Sequence, residues 1–175
     1  MACLLTSGRS LGCKTSVGGL KAVYFADFGT LGTTTIADGE ITAVSGTPDF
    51  FKYDIKGSSS LETTITSSRE NGTTFYTQTL NLTLPILDKA TQEQIKILAT
   101  ARPHVVVETY DNSFLLVGLE NGAEVNGGTI VTGAAMGDMS GFTLTMEAME
   151  VAPAFFVTST VVTANESSVQ IDPNA

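Results

Sequence analysis

Beyond Arg102 this chain has no lysine or arginine. All nine basic side chains lie at or before Arg102, where nine acids balance them, while residues 103–175 carry nine acids and the single His. The net charge of −9 therefore belongs wholly to that second part. Proteins that grip nucleic acid neutralise phosphates with Lys and Arg. The second part offers none, so toward DNA it is repulsive, a property that bears on partners rather than on fold.

Other absences exclude further classes. Trp is missing and aromatics make up 7% of the chain, which leaves little from which to build a sugar-binding platform. No apolar run approaches the roughly 20 residues of a membrane helix, so no membrane partner is expected. Leu4 and Leu5 are too short a stretch for a signal peptide, and Ser10-Leu11-Gly12-Cys13 fails as a lipoprotein box for the same reason. The chain is thus expected to be made and folded in cytoplasm, where the triplets at Asn71, Asn81 and Asn165 carry no glycan. Its two cysteines, Cys3 and Cys13, do not make a disulfide framework. A bridge between them and a pair of free thiols are the two options.

Catalytic and cofactor chemistry also lacks its parts. Gly8-Arg9-Ser10-Leu11-Gly12-Cys13-Lys14-Thr15 has the composition of a phosphate loop but the wrong spacing, since Cys13 separates the second glycine from the lysine and no strand precedes it. His104 has no His or Cys at metal-ligand spacing, and a structural or interface role is expected for it. Glu147 and Glu150, three apart in a strand, point to opposite faces. The expectation is no enzyme, no metal and no cofactor.

What is present is β pattern. At 175 residues one domain is expected, and Thr-rich, Lys-poor composition favours strands. Residues 1–17 read as an arm. Residues 20–28 alternate, with Leu20, Ala22, Tyr24, Ala26 and Phe28 on one face. Short strands at 33–36 and 41–44 flank Asp38-Gly39, and Asn71-Gly72 joins 61–66 to a long strand at 73–84; both dipeptides are hairpin turns. The pattern changes once. Pro85 stops the strand, Asp88 caps a helix over 88–102, and Ala90, Ile97, Leu98 and Ala101 mark its apolar stripe, with Ile95 at the edge. Strands resume at 104–110 and 114–119 around the turn Asp111-Asn112-Ser113. Asn126-Gly127-Gly128 reads as a turn, 129–132 as a short strand, and Phe142, Leu144 and Met146 as one face of another. Residues 154–162 close the body, which spans 18–162, and a polar tail covers 163–175. Nine or ten strands and one flanking helix predict a mainly β fold, an antiparallel sandwich or partly closed barrel.

The block from residue 60 to 156 resembles bacteriophage tail tube proteins. The likeness is carried in order by Ser60-Leu61-Glu62-Thr63-Thr64-Ile65, Thr77-Gln78-Thr79-Leu80-Asn81-Leu82, and the helix Leu87-Asp88-Lys89-Ala90-Thr91-Gln92-Glu93-Gln94-Ile95. The strand pair 105–110 and 114–119 follows. The last part is Asp138-Met139-Ser140-Gly141-Phe142-Thr143-Leu144-Thr145, leading into Glu150-Val151-Ala152-Pro153-Ala154. The resemblance covers a little over half of the chain, and the type VI secretion tube protein is similar in fold. It implies hexameric rings whose sheets join into an inner barrel, stacked into a tube that conducts genomic DNA without specific binding. The implied place is the virion tail, beside sheath, terminator or baseplate proteins. A terminator, baseplate ring, other head or tail ring, or capsid decoration protein fits the same pattern. A cell-surface binding sandwich is the reading from a different class and requires export.

On this reading Glu108, Glu120, Glu124 and Glu147 are the candidates to line the lumen. Cys3, Cys13, Lys14, Phe50, Phe51, Tyr53, Phe155 and Phe156 are the candidates for contacts between subunits or rings, with the loop 45–60, the arm and the tail as clasps.

Overall fold

The computed structural model describes residues 4–55 and 57–173. Among these residues eleven strands form two sheets, as expected of a sandwich, and the sheets do not close into a barrel. In chain order the strands are β1 (Leu20–Ala26), β2 (Thr34–Ala37), β3 (Glu40–Val44), β4 (Phe51–Asp54), β5 (Ser60–Ser68), β6 (Thr73–Pro85), β7 (His104–Thr109), β8 (Phe114–Val117), β9 (Glu124–Val131), β10 (Gly141–Glu150) and β11 (Phe155–Val157). Helix α1 (Lys89–Leu98) lies between β6 and β7, and α2 (Ser159–Ala164) follows β11. The larger sheet has the order β2-β3-β11-β8-β7-β1-β4, and the smaller has β5-β6-β10-β9. Among the described residues no helix is long and apolar enough to cross a membrane.

The turns form where their residues demand. Asp38 and Asn112 adopt positive φ, as does Gly72, matching the hairpin turns read from Asp38-Gly39, Asn112 and Asn71-Gly72. The Asp88 carboxylate accepts the Thr91 N–H at 2.7 Å and caps α1.

Strand β1 differs from its expected one-sided alternation because both of its faces are covered. A bulge between Leu20 and Ala22 turns Leu20, Val23 and Phe25 into the core between the sheets, with Leu80, Leu82, Phe142, Leu144 and Met146. Ala22, Tyr24 and Ala26 face a second core, with Ile41, Phe50, Val106, Leu116 and Val162. That second core sits on the far face of the larger sheet, and α2 supplies Val161 and Val162 to it. Phe28 lies beyond the strand, its ring stacked on His104 at 5.0 Å.

Three further expectations are corrected. Helix α1 ends at Leu98 rather than near residue 102, and it buries Ile95 while Ile97 is exposed; Leu98 still packs on the core, so the apolar stripe is rotated by about a quarter of a turn. The stretch 126–128 is not a turn: it lies inside β9, where the register against β10 shifts between Thr145 and Met146 and Asn126 is the extra residue. The tail is tied in at its start. Phe50 N–H donates to the Asn165 carbonyl and Ser167 N–H donates to the Phe50 carbonyl, which extends the body past residue 162.

A buried polar chain joins the two sheets where β8 crosses over to β9. Gln78, on the core face of β6, accepts the Gly118 N–H through Oε1 at 3.1 Å and donates through Nε2 to the Ala152 carbonyl. The Gly118 carbonyl accepts a hydrogen bond from His104 Nδ1–H at 2.7 Å, and His104 Nε2 accepts one from the Gly29 N–H. A carbonyl can only accept, so the imidazole is neutral with its proton on Nδ1. Gly118 has φ 72, and a Cβ there would meet the Gly122 backbone at 2.5 Å, so this junction requires glycine.

Replacing Gln78 with Leu leaves the Gly118 N–H buried without its partner and takes one from the half-buried Ala152 carbonyl. The substitution should cost about 2–3 kcal/mol, read as a lower urea midpoint at unchanged slope; a loss below about 0.5 kcal/mol would contradict the role given to this chain.

Burial holds the His104 imidazole below its ordinary value, opposed by its bond to Gly118. The unfolded chain therefore binds this proton more readily than the folded one. Stability from this group is complete above about pH 6.5 and is lost as pH falls below it. The fall in urea midpoint between about pH 7.5 and 5.5 should be steeper in the parent than in His104→Asn, and parallel profiles would refute the assignment.

Candidate functional site

Register places one continuous surface on the smaller sheet. Along β6 and β10 the partners Leu84–Phe142, Leu82–Leu144 and Leu80–Met146 alternate with Thr83–Thr143, Asn81–Thr145 and Thr79–Glu147. The first set fills the core between the sheets. The second set faces away from it, because successive strand residues point to opposite sides. The same alternation extends to the edges: Ser60, Glu62, Thr64 and Thr66 on β5, and Glu124, Gly127 and Thr129 on β9, share this outer face.

The outer face is built mainly from hydroxyls, amides and carboxylates, with Val131 at one end and the exposed Met149 and Phe75 at the other, and none of the residues so placed is Lys or Arg. Thr145 donates to Asn81 Oδ1 at 3.0 Å, and the Thr129 and Thr143 hydroxyls are hydrogen-bonded to each other. One row across all four strands reads Glu62, Thr79, Glu147, Glu124. Glu147 and Glu124 are direct cross-strand partners, a like-charge pair that works against the isolated sheet. Asn126 Nδ2 donates to Glu147 Oε2 at 3.0 Å. Arg102 lines the same open groove, but its guanidinium lies over the Phe28 ring, 4.7 Å from the centroid.

The four acidic candidates therefore separate. Glu124 and Glu147 lie on the outer face. Glu120 is exposed on the turn after β8, off that face. Glu108 is the correction: it is 6% exposed, on the larger sheet, with Lys21 Nζ at 2.7 Å on Oε1 and the Tyr24 hydroxyl at 3.0 Å on Oε2. Burial beside this carboxylate pushes the Tyr24 phenol well above its usual range. Glu108 is a held core carboxylate and is not available to a channel wall. Glu62 is the residue that sequence reasoning missed. Its signal was present, since period two along residues 60–66 aligns it with Ser60, Thr64 and Thr66.

Glu150 points the other way from Glu147, as its spacing predicts, and is buried. Its Oε1 accepts the backbone N–H groups of Glu120 and Asn121 at 3.1 and 2.9 Å. Burial pushes this carboxyl up, and the two N–H bonds pull it back.

The contact candidates also divide. Phe50 is 1% exposed and belongs to the second core, so it cannot meet a neighbour. Tyr53 is half-buried and packs edge-on against Phe25 at 5.1 Å. Phe155 packs against the second core. Phe51 and Phe156 are exposed, as are Cys13 and Lys14 in the arm. Cys3 lies outside the described residues. Phe51 and Tyr53 meet Leu84, Ile86 and the tail residues Val169 and Ile171 around one groove beside α1. Among the described residues no cluster of His, Cys, Asp and Glu has the arrangement of a metal site.

Both edges of the smaller sheet, β5 and β9, lack a strand partner within the described residues. The hairpin of β5 and β6 runs past the end of β10, which stops at Glu150 opposite Tyr76. Ile65, level with that end, and Phe75, one residue beyond it, are exposed.

No family model matches this chain, and no curated protein or solved structure is significantly similar to it.

Relieving the paired carboxylates should stabilise the isolated chain. Glu124→Gln is expected to raise stability by about 0.5 kcal/mol, with the gain shrinking in high salt. A loss of stability at low salt would mean that Glu124 is compensated in a way this geometry does not contain.

Proposed function

We propose that this chain is a structural virion protein whose copies join through β5 and β9 into closed rings. The rings stack into a tail tube through which genomic DNA passes without being held. One observation carries the reading: no strand residue on the uncovered face of the smaller sheet is Lys or Arg, and among the described residues both of its edges lack a strand partner.

An unpaired strand presents a row of free N–H and C=O groups, which a stable monomer normally hides. Here two such edges flank one four-stranded sheet. Different patches on the two edges make a head-to-tail contact, and such contacts close into a ring when the rotation between neighbours divides a full turn. Strand directions alternate across the sheet, so a rotated neighbour brings its β5 antiparallel to β9. With the hexamer implied by the resemblance to tail tube proteins, about 24 strands at ~4.8 Å spacing and 35–45° tilt give a backbone cylinder roughly 45–50 Å across. That leaves room for a DNA duplex inside the side chains.

The wall chemistry suits passage. Each Lys or Arg on the bore would release counterions on meeting a phosphate and add salt-dependent affinity. Hydroxyls and amides with a belt of carboxylates at Glu62, Glu124 and Glu147 give the duplex nothing to bind. The larger sheet, covered on both faces, serves as the outer scaffold against which sheath, terminator or baseplate proteins pack. The role is mechanical rather than catalytic and needs no cofactor.

Electron microscopy of the purified protein across a concentration series should show rings or hollow tubes, and monomers at every concentration would refute the proposal. Assembled parent protein should not retard duplex DNA in a low-salt gel. The variant carrying Glu62→Lys and Glu147→Lys should retard it strongly, and retardation by the parent would sink the non-sticking bore.

A further inference from the structure

The smaller sheet is a skewed parallelogram. Glu124, at the start of β9, lies level with Glu62, and Gly127 lies level with Ser60. From there β9 runs on to Val131, opposite Gly141 and Pro85, past the point where β5 begins. In the other direction β5 runs on to Ser68, opposite Thr73, past the point where β9 ends. The two open edges therefore share only the stretch from Ser60 to Glu62. A neighbour set flush would pair three residues and place Glu124 directly against a second Glu62, a like-charge contact.

Full pairing requires the neighbour to slide along β9, and the slide must be an even number of residues. An odd slide would set the outer Thr and Glu face beside core-facing side chains. Slides of about four and about six residues each cover the whole of β9. At ~3.3 Å per residue against a sheet about 19 Å wide, they correspond to strand tilts of about 35° and 45°, both compatible with a closed barrel.

We propose that the contact is made at the six-residue slide, with a second copy of this chain as the partner. The proposal rests on the ring reading above and specifies its interface. Three features select it. Glu124 then lies beside the neighbour's Ser68, and the turn that follows carries the exposed Arg69, whose charge the Glu124 and Glu147 pair neutralises, which relieves their repulsion and adds no net positive charge to the bore. The neighbour's Glu62 moves down beside Val131, away from those two carboxylates. Thr129 falls beside the neighbour's Thr64, which extends the hydroxyl row that Thr129 and Thr143 begin. Threonine pairs of this kind are favourable cross-strand neighbours. At the slide of four, Thr129 instead meets the neighbour's Glu62, and Arg69 stays two residues further from Glu124.

The register can be read by cross-linking. In a background of Cys3→Ser and Cys13→Ser, the pair Thr129→Cys with Thr64→Cys should give, on mild oxidation of assembled protein, a ladder of covalent oligomers that stops at the ring number. The two positions lie on opposite edges of one sheet, so the link cannot form within a chain. The pairs Thr129→Cys with Glu62→Cys and Glu124→Cys with Glu62→Cys report the slide of four and the flush contact. A ladder strongest in either of these, with rings still visible by microscopy, overturns the six-residue register and leaves the ring intact. Soluble monomers with no ladder from any pair overturn both.

Discussion

The long antiparallel pairing of β6 with β10 is the constraint on which the rest of this molecule depends. It holds ten successive residue pairs in register, from Gly141–Pro85 to Glu150–Tyr76. A slip of one residue would exchange Leu80, Leu82, Leu84, Phe142, Leu144 and Met146 for threonines, an asparagine and a glutamate. Burying those polar groups would remove the core between the sheets and, with it, the apolar area that sustains a domain of this size. The same register that fills the core therefore also composes the outer face. Gln78 fastens it, because its amide reaches across the sandwich to Gly118 while its strand stays in the β6–β10 ladder. From Gly118 the chain of bonds continues through His104 to the loop at Gly29.

The two sheets are not equivalent, and the difference bears on function. The larger sheet has apolar residues on both faces, with α2 packed against the second. A sheet so covered is a scaffold. The smaller sheet has one face in the core and one in water, the pattern of a wall. The long-range charge asymmetry of the sequence becomes local on this wall. Glu124 and Glu147 stand on it, together with Glu62 from the charge-balanced first part, while Glu108 and Glu150 from the acidic part are taken inward by specific partners. Net charge alone does not place a carboxylate. The strand phase does.

Much of the architecture was legible in the sequence because it is written locally. Asp38-Gly39 and Asn71-Gly72 name their turns, Asp88 names the start of α1, and the alternation in residues 73–84 and 142–146 names strands with one polar face. What was not legible depends on residues far apart. Nothing near Glu108 announces burial, because Lys21 and Tyr24 reach it from β1. Phe50 reads as a loop aromatic until the bonds from Asn165 and Ser167 seat it in the second core. Helix α2 consists of Ser-Thr-Val-Val-Thr-Ala, of which all but the last have weak helix propensity, and it forms because Val161 and Val162 complete that same core. The asparagine and glycines of β9 carry a turn signal that pairing with β10 overrides through a bulge.

The central claim is that the open edges of the smaller sheet, and not those of the larger one, are the joining surfaces. Hydrogen exchange measured on dilute and on assembled protein tests it most directly, since paired strand amides exchange slowly and free edge amides exchange fast. The account predicts that assembly slows exchange along β5 and β9 and leaves the outer amides of β2 and β4 unchanged. Protection that appears at β2 or β4 while β5 and β9 stay fast would contradict it.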